Sequence, residues 1–298
     1  MRRRLWSLAG VGFVEFVRPA TWADALAAKA AAPATLPIAG GTDVMVEINF
    51  DRKRPDALLD LNPIAELADW AFDGAAVVIG AGVPYTRLIT ELGGSLPGLA
   101  VASRTVGSPQ IRNRGTLGGN LGSASPAGDT HPVLLALNTV VEVASVRGSR
   151  SIPIDEFYLG VKRSALEPDE LIRSVRVPVR TGPCHFAKIG TRNAMVIAVC
   201  SFAVALHVSD RVVRTGIGSA APTPVRALDA ETFAAASLDW ERLGPLDDAV
   251  ARRFGELAAG AAAPIDDVRG SARYRRHALA VLARRTLTWA WEEYRSCE

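Results

Sequence analysis

Cysteine is scarce: three in 298 residues, Cys184, Cys200 and Cys297. This excludes a disulfide framework and any four-cysteine metal cluster held by this chain alone. The four histidines, His131, His185, His207 and His277, stand far apart, and none has a second ligand at metal spacing. Charge of one sign is not concentrated. The formal net charge is +3, the isoelectric point is near 8.9 and the basic residues are dispersed, so the polybasic footprint of a nucleic-acid binder is missing. No apolar run is long enough for a membrane span. The longest, Ala194 to Val208, has 15 residues, below the ~18 to 20 that a spanning helix needs. It contains Ser201 and His207 and reads as a buried strand pair or a strand running into a helix. The opening MRRRLWSLAGVGF has a basic start, but its apolar stretch is short, is broken by Ser7 and meets Glu15 without a small-residue cleavage pattern. It reads as a ragged start before the domain. A reduced, cytoplasmic compartment is the expectation.

What is present is the composition of an ordered protein, 49% hydrophobic and 22% charged, long enough for one large domain or two ordinary ones. A chain of this length buries about 75% of the surface that its unfolded form exposes. Phe16 to Ala20 reads as a strand, and Thr21 as the N-cap of a helix through Lys29. LPIAGGTDVMV gives a strand, a glycine pair and another apolar stretch. DALLDL and AVVIGAG read as strands, Pro84 to Leu92 as a helix, and Thr130 to Leu137 as a helix leading into the strand TVVEVASV. ELIRSVRVPV ends at Pro178, with a boundary at Thr181-Gly182-Pro183. Beyond it lie a β-rich block from His185 to Gly218, alanine-rich helices around Ala249 to Ala263, and a last helix from Ser271 to about Arg295. In that helix Tyr274, Ala278, Val281, Leu282, Leu287 and Trp291 keep helical spacing. No internal repeat is present. The organisation is α+β, an N-terminal region to about residue 180 followed by strands and then helices.

Glycine is concentrated locally. GSPQIRNRGTLGGNLG, Gly107 to Gly122, holds five glycines in sixteen residues, where 26 in 298 would give one or two. Such density marks a backbone that adopts positive φ or approaches a ligand closely. In TLGGN several amides lie without bulky side chains between them, the composition of an anion nest. Ser123, Ser125 and Asp129 follow, able to bond hydroxyls or ring nitrogens. Ala39-Gly40-Gly41-Thr42-Asp43 has the same character after a strand. Two such loops suit a pyrophosphate, but each also fits a plain tight turn. Neither is a dinucleotide fingerprint, since no G-x-G-x-x-G follows a strand and opens a helix, and no Walker lysine follows the glycines.

TVGSPQIRNRGTLGGNLGSASPAGDTHPVLLAL, Thr105 to Leu137, closely resembles the flavin-binding medium subunit of the molybdenum hydroxylases, xanthine dehydrogenase-like. AGGTD at 39–43 resembles that family's first flavin loop, and HFAKIGTRNAMVIAVCSFAV at 185–204 the opening of its C-terminal domain. The resemblance implies a vanillyl-alcohol-oxidase/PCMH-type FAD-binding fold at 10–180, made of two α+β subdomains at 10–68 and 69–180. A C-terminal α+β domain of strands followed by helices covers 184–298. It implies noncovalent FAD in this chain. [2Fe-2S] clusters are implied in a small partner subunit, molybdopterin in a large one, and NAD or another electron acceptor. Purine oxidation, of hypoxanthine or xanthine, is the reaction implied for the whole complex.

Carried over by position, Leu36, Pro37, Ile38, Ala39, Gly40, Gly41, Thr42 and Asp43 wrap the FAD pyrophosphate, as do Thr116, Leu117, Gly118, Gly119 and Asn120. Gly107 lets the cofactor pass, Asp129 contacts its nucleotide end, Ile172 touches it, and Lys188 matches a lysine at the flavin end. The residues themselves also allow plainer readings: Ile172 as core, Lys188 as solvated, Arg112 and Arg114 as structural or partner-facing ion pairs, and His131 as a cap or surface residue. Asp43 beside a diphosphate is repulsive, so its carboxylate should point away or pair with a cation. Neither loop has a cysteine or histidine for covalent flavin attachment, and the chain lacks the cysteines of an extra [4Fe-4S] insert. A stand-alone flavoprotein and a non-redox nucleotide scaffold are the competing functions. The first predicts turnover by the chain alone, and the second a colourless protein.

Overall fold

The structure is a computed structural model that describes residues 2–4, 14–179 and 182–297. Most of the ragged opening segment, and Thr181 of the expected boundary, lie outside the described residues.

The first layer is a four-stranded sheet of β1 (Arg2–Arg4), β2 (Glu15–Val17), β3 (Leu36–Ile38) and β4 (Ala57–Asp60), in the order β1-β2-β4-β3. β4 runs parallel to both β2 and β3, so crossovers are required, and α1 (Trp22–Ala31) and α2 (Val44–Asn49) supply them. The start of α1 is the one the sequence indicates: Thr21 Oγ1 accepts the Asp24 amide at 3.1 Å, a cap that contributes about 1 kcal/mol.

The second layer is an antiparallel sheet of β5 (Trp70–Asp73), β6 (Ala76–Gly80), β7 (Val140–Ser145), β8 (Gly148–Pro153) and β11 (Leu171–Pro178), in the order β5-β6-β11-β7-β8. Between β6 and β7 the chain makes α3 (Tyr85–Glu91), α4 (Pro97–Arg104), α5 (Pro109–Arg112), α6 (Leu117–Ser123) and α7 (His131–Ala136). Between β8 and β11 it makes α8 (Ile154–Phe157) and the small hairpin β9 (Tyr158–Gly160) and β10 (Arg163–Ser164). The glycine-dense run is therefore not a loop throughout. Part of it is α6, whose N-cap Thr116 accepts the Gly119 amide at 2.9 Å.

A three-stranded meander follows, β12 (Cys184–Ile189), β13 (Cys200–His207) and β14 (Val212–Gly218), then α9 (Leu228–Ser237), α10 (Asp248–Gly260) and α11 (Ala272–Cys297). Only the second half of the long apolar run is regular structure, the strand β13. It is apolar without alternation because both its faces are covered. Phe202, Val204 and Leu206 join the core under α9 to α11, while Ala203 and Ala205 join the core of the N-terminal sheets. β13 thus stitches two cores together. Among the described residues no helix is long and apolar enough to cross a membrane.

The stripe read for the last helix needs one correction. Tyr274 is exposed, and the buried residue at that level is Arg275. Its Nη1 donates to the carbonyls of Val199 and Ser219, both at 2.7 Å, and Nη2 to Asp267 Oδ1 at 2.5 Å. A buried guanidinium is tolerable because its bonds go to a carboxylate and to two carbonyls that have no other donor among the described residues. Arg275→Met is expected to lower unfolding stability by about 3 kcal/mol, read as a drop in urea midpoint at unchanged slope. A loss below about 1 kcal/mol would show that these carbonyls find other donors.

Candidate functional site

The two glycine segments, far apart in sequence, touch. A Cβ on Gly40 would lie 1.8 Å from the Arg114 carbonyl oxygen and 2.9 Å from the Gly115 nitrogen. Thr42 sits against the other side of the contact, its Oγ1 3.3 Å from where a Gly115 Cβ would be. The contact borders a cavity of about 640 Å³ between the first and second sheets, within the ~300 to 1,000 Å³ range of ligand sites.

The two segments present themselves differently. The amides of Gly40, Gly41, Thr42 and Asp43 donate to nothing among the described residues. In the second segment most amides are already bonded. Leu117 donates to Val83 O, Gly118 to Ala81 O, Gly119 to Thr116 Oγ1 and Asn120 to Thr116 O. The reading of TLGGN as a nest of free amides is therefore corrected, because the helix cap and the β6 end accept those donors. Of the residues singled out in the sequence, Leu36, Pro37, Ala39 to Asp43, Gly107, Thr116, Gly118, Gly119, Asn120, Asp129 and Ile172 line the cavity. Ile38, Leu117 and Lys188 do not. Ile38 packs its side chain beneath Gly41, and Leu117 is fully buried in the core. Asp43 is on the wall and makes no ion pair among the described residues, so of the two expectations for it, pairing with a cation is not met.

Lys188 reaches the site through Asp129. Its ammonium, on β12, lies 2.6 Å from Asp129 Oδ2 and 3.1 Å from the Thr105 carbonyl. Both side chains are under a tenth exposed, so the solvated reading of Lys188 is overturned. Thr105 Oγ1 donates a second bond to Oδ2 at 3.1 Å. Burial pushes the Asp129 carboxyl up and the Lys188 ammonium opposes it. Asp129 Oδ1 is buried, on the cavity wall, with no partner.

Among the described residues Arg112 is in no ion pair either. Its Nη1 donates to the carbonyls of Arg104, Val106 and Gly107 at 3.1, 3.0 and 2.9 Å. Together with Lys188 on Thr105, this fixes every carbonyl from 104 to 107. The turn ends at Gly107, whose φ of +45 is left-handed. A second cavity opens beside this turn and shares Gly107, Met195 and Val196 with the first.

His131 is neither cap nor surface residue. It is fully buried, with Nδ1 2.7 Å from the Tyr158 hydroxyl and Nε2 unpartnered against Gly128. Beside it Thr130 Oγ1 donates to Asn120 Oδ1 at 2.6 Å, so this polar group supports the second glycine segment from behind. Sequence reasoning passed over six further charged wall residues: Lys29, Glu47, Lys53, Lys162, Glu167 and Glu170. They lie outside any motif, and no local pattern marks them.

Two family models match the chain. "FAD binding domain in molybdopterin dehydrogenase" matches residues 12–180, and "CO dehydrogenase flavoprotein C-terminal domain" matches residues 185–290. The chain belongs to the FAD-binding medium subunits of the molybdopterin-dependent dehydrogenases. It is 32% identical to the nicotine 6-hydroxylase medium subunit of Paenarthrobacter nicotinovorans, over 93% of this chain and 97% of that one. It is 30% identical to the xanthine dehydrogenase FAD-binding subunit of Escherichia coli O157:H7, over 93% and 96%. Among solved structures it superposes on reconstituted CO dehydrogenase from Oligotropha carboxidovorans with a TM-score of 0.86 at 29% identity, covering 95% of this chain and 99% of that one. This medium subunit is an oxidoreductase component that carries an FAD-binding domain. The site fits FAD on its own chemistry. Free amides at one loop would suit an anion, the Asp129 carboxylate on the wall would accept from a hydroxyl or ring N–H, and Ile172 offers an apolar surface beside Gly122.

Burial holds the His131 imidazole neutral, its pKa pushed down to about 3. In the unfolded chain it titrates near its ordinary value of about 6.5. Its contribution is therefore complete above that value and is lost as pH falls towards the lower one. Between pH 7 and 5, wild type is expected to lose about 2 kcal/mol more than His131→Gln in urea unfolding. Parallel pH dependences would contradict a neutral buried imidazole.

Proposed function

We propose that FAD lies noncovalently in the cavity between the two N-terminal sheets, and that the chain is the electron outlet of a three-component molybdenum hydroxylase. The observation that carries this is the pairing, on one cavity, of free amides at Gly40 to Asp43 with Asp129, a wall residue whose buried Oδ1 has no partner. In this reading the first segment, Leu36 to Asp43, faces the diphosphate with its amides. Thr116, Gly118, Gly119 and Asn120 form the facing wall, with Ile38 and Leu117 behind. Gly107 gives the cofactor passage, Asp129 accepts from its nucleotide part, and Ile172 packs on it. Lys188 orients the Asp129 carboxyl and opposes the upward push of burial on its pKa.

Bound there, FAD supplies two-electron redox chemistry that no side chain of this chain can provide. The chain's own part is to bind, orient and exclude water. The division into 10–180, with subdomains 10–68 and 69–180, and 184–298 belongs to the same proposal. The ranges of the two family matches and the presence of two hydrophobic cores support it.

In the complex, this subunit receives electrons from the [2Fe-2S] clusters of a small partner and passes them to NAD or another acceptor. Molybdopterin sits in a large partner, which selects the substrate. A purine, hypoxanthine or xanthine, is the first substrate to test, supported by the xanthine dehydrogenase relative. The nicotine relative makes other N-heterocycles the next. A cytoplasmic location fits this electron chemistry.

Titrating the chain with FAD and following quenching of flavin fluorescence tests the site. Wild type is expected to saturate. Gly40→Val should bind at least tenfold more weakly, because its side chain separates the two segments. Asp129→Asn, which keeps the shape and removes the charge, should weaken binding by about 1 to 2 kcal/mol. Equal affinities in all three would contradict the placement. Hypoxanthine-dependent NAD reduction by the assembled complex tests the purine reading, and its absence alongside oxidation of another heterocycle would replace it.

A further inference from the structure

Glu47 is the fourth residue of α2, the helix that follows the first glycine segment. Its carboxylate is only 9% exposed and is held by two ammonium groups: Lys53 on Oε2 at 2.8 Å and Lys162 on Oε1. The two lysines belong to different layers. Lys53 is on the same layer as Glu47, six residues further on. Lys162 is on the turn between β9 and β10, in the second layer. All three line the cavity. Among the described ion pairs, Glu47–Lys162 is the one that joins the first sheet's layer to the second's across it.

Lys162 is itself anchored. Its amide donates to the carbonyl of Ala124 at 3.2 Å, the residue that ends α6. α6 opens with the second glycine segment, so the bridge ties the far ends of the two glycine-opened helices together. Lys162 does this from a left-handed backbone, φ +54, a conformation that strains a lysine.

We propose that the Glu47–Lys162 bridge is a latch that holds the two glycine segments closed on the bound dinucleotide and sets the rate at which FAD leaves. It rests on the reading that FAD occupies this cavity. Parting of the layers would free a dinucleotide held between them, and this bridge spans the gap while Glu47–Lys53 does not. Both lysines neutralise the same carboxylate, so Lys53 is an internal control for charge alone.

The test is FAD release from the full chain, followed as the rise in flavin fluorescence after dilution. Lys162→Met and Glu47→Gln are each expected to release FAD about fivefold faster than wild type, the range of a partly exposed pair. Lys162→Arg, which keeps the bridge, should stay within about twofold. Lys53→Met, which removes the same charge from the wall but leaves the crossing intact, should release FAD more slowly than Lys162→Met. Added salt should speed release from wild type and leave Lys162→Met unchanged. Equal release from Lys162→Met and Lys53→Met, or from Lys162→Met and wild type, would overturn the latch and leave the FAD site standing. Failure of wild type to take up FAD at all would overturn the functional reading and the latch with it.

Discussion

The site depends on a backbone-to-backbone contact that admits no side chain. Gly40 lies so close to the Arg114 carbonyl that a Cβ there would overlap it at 1.8 Å. Any other residue at position 40 would push the first segment off the second and open the seam along which the cavity forms. Other features follow from keeping that seam closed. β3 delivers the first segment to it, the end of β6 accepts the amides of the second, and Tyr85 donates its amide to the Gly115 carbonyl at 3.0 Å. Glycine is costly in flexible chain, and here its use is offset by an approach no other residue permits.

Around the seam the wall is polar, and its charges are tied down. Asp129 is held by Lys188 from the C-terminal meander and by Thr105, and Arg112 gathers three carbonyls of the adjoining turn. Such buried charges are weak stabilisers, but they fix geometry, because removing one partner leaves the other unpaired in a dry environment. Asp129 itself lines the cavity, and its Oδ1 is buried without a partner. β13, sandwiched between two cores, carries this order from the C-terminal helices to the site. Arg275 secures the chain at the start of that strand by bonding the Val199 carbonyl.

Much of this was legible in the sequence. Thr21 announces its helix by a local cap, and the glycine runs mark themselves by composition. The strings at 39–43, 105–137 and 185–204 are specific enough to identify the family. What was not legible depends on residues distant in sequence. TLGGN reads as free amides until Ala81 and Val83 are seen to accept them. His131 reads as a helix cap until Tyr158 covers it. Lys188 reads as solvated until Asp129, 59 residues earlier, lies beneath it. Tyr274 and Arg275 are neighbours on one helix, and only the carbonyls of Val199 and Ser219 decide which of the two is buried. Lys162 carries no signal at all, since a lysine in a turn between short strands is ordinary until its partner is known.

The most direct measurement is the visible absorption spectrum of the purified chain, with the nucleotide released by heat identified and counted against protein. The expected result is a flavin spectrum and about one FAD per chain, all of it released on denaturation, as a noncovalent site requires. A chain that stays colourless and takes up no FAD, alone or with its iron–sulfur and molybdopterin partners, would contradict the account.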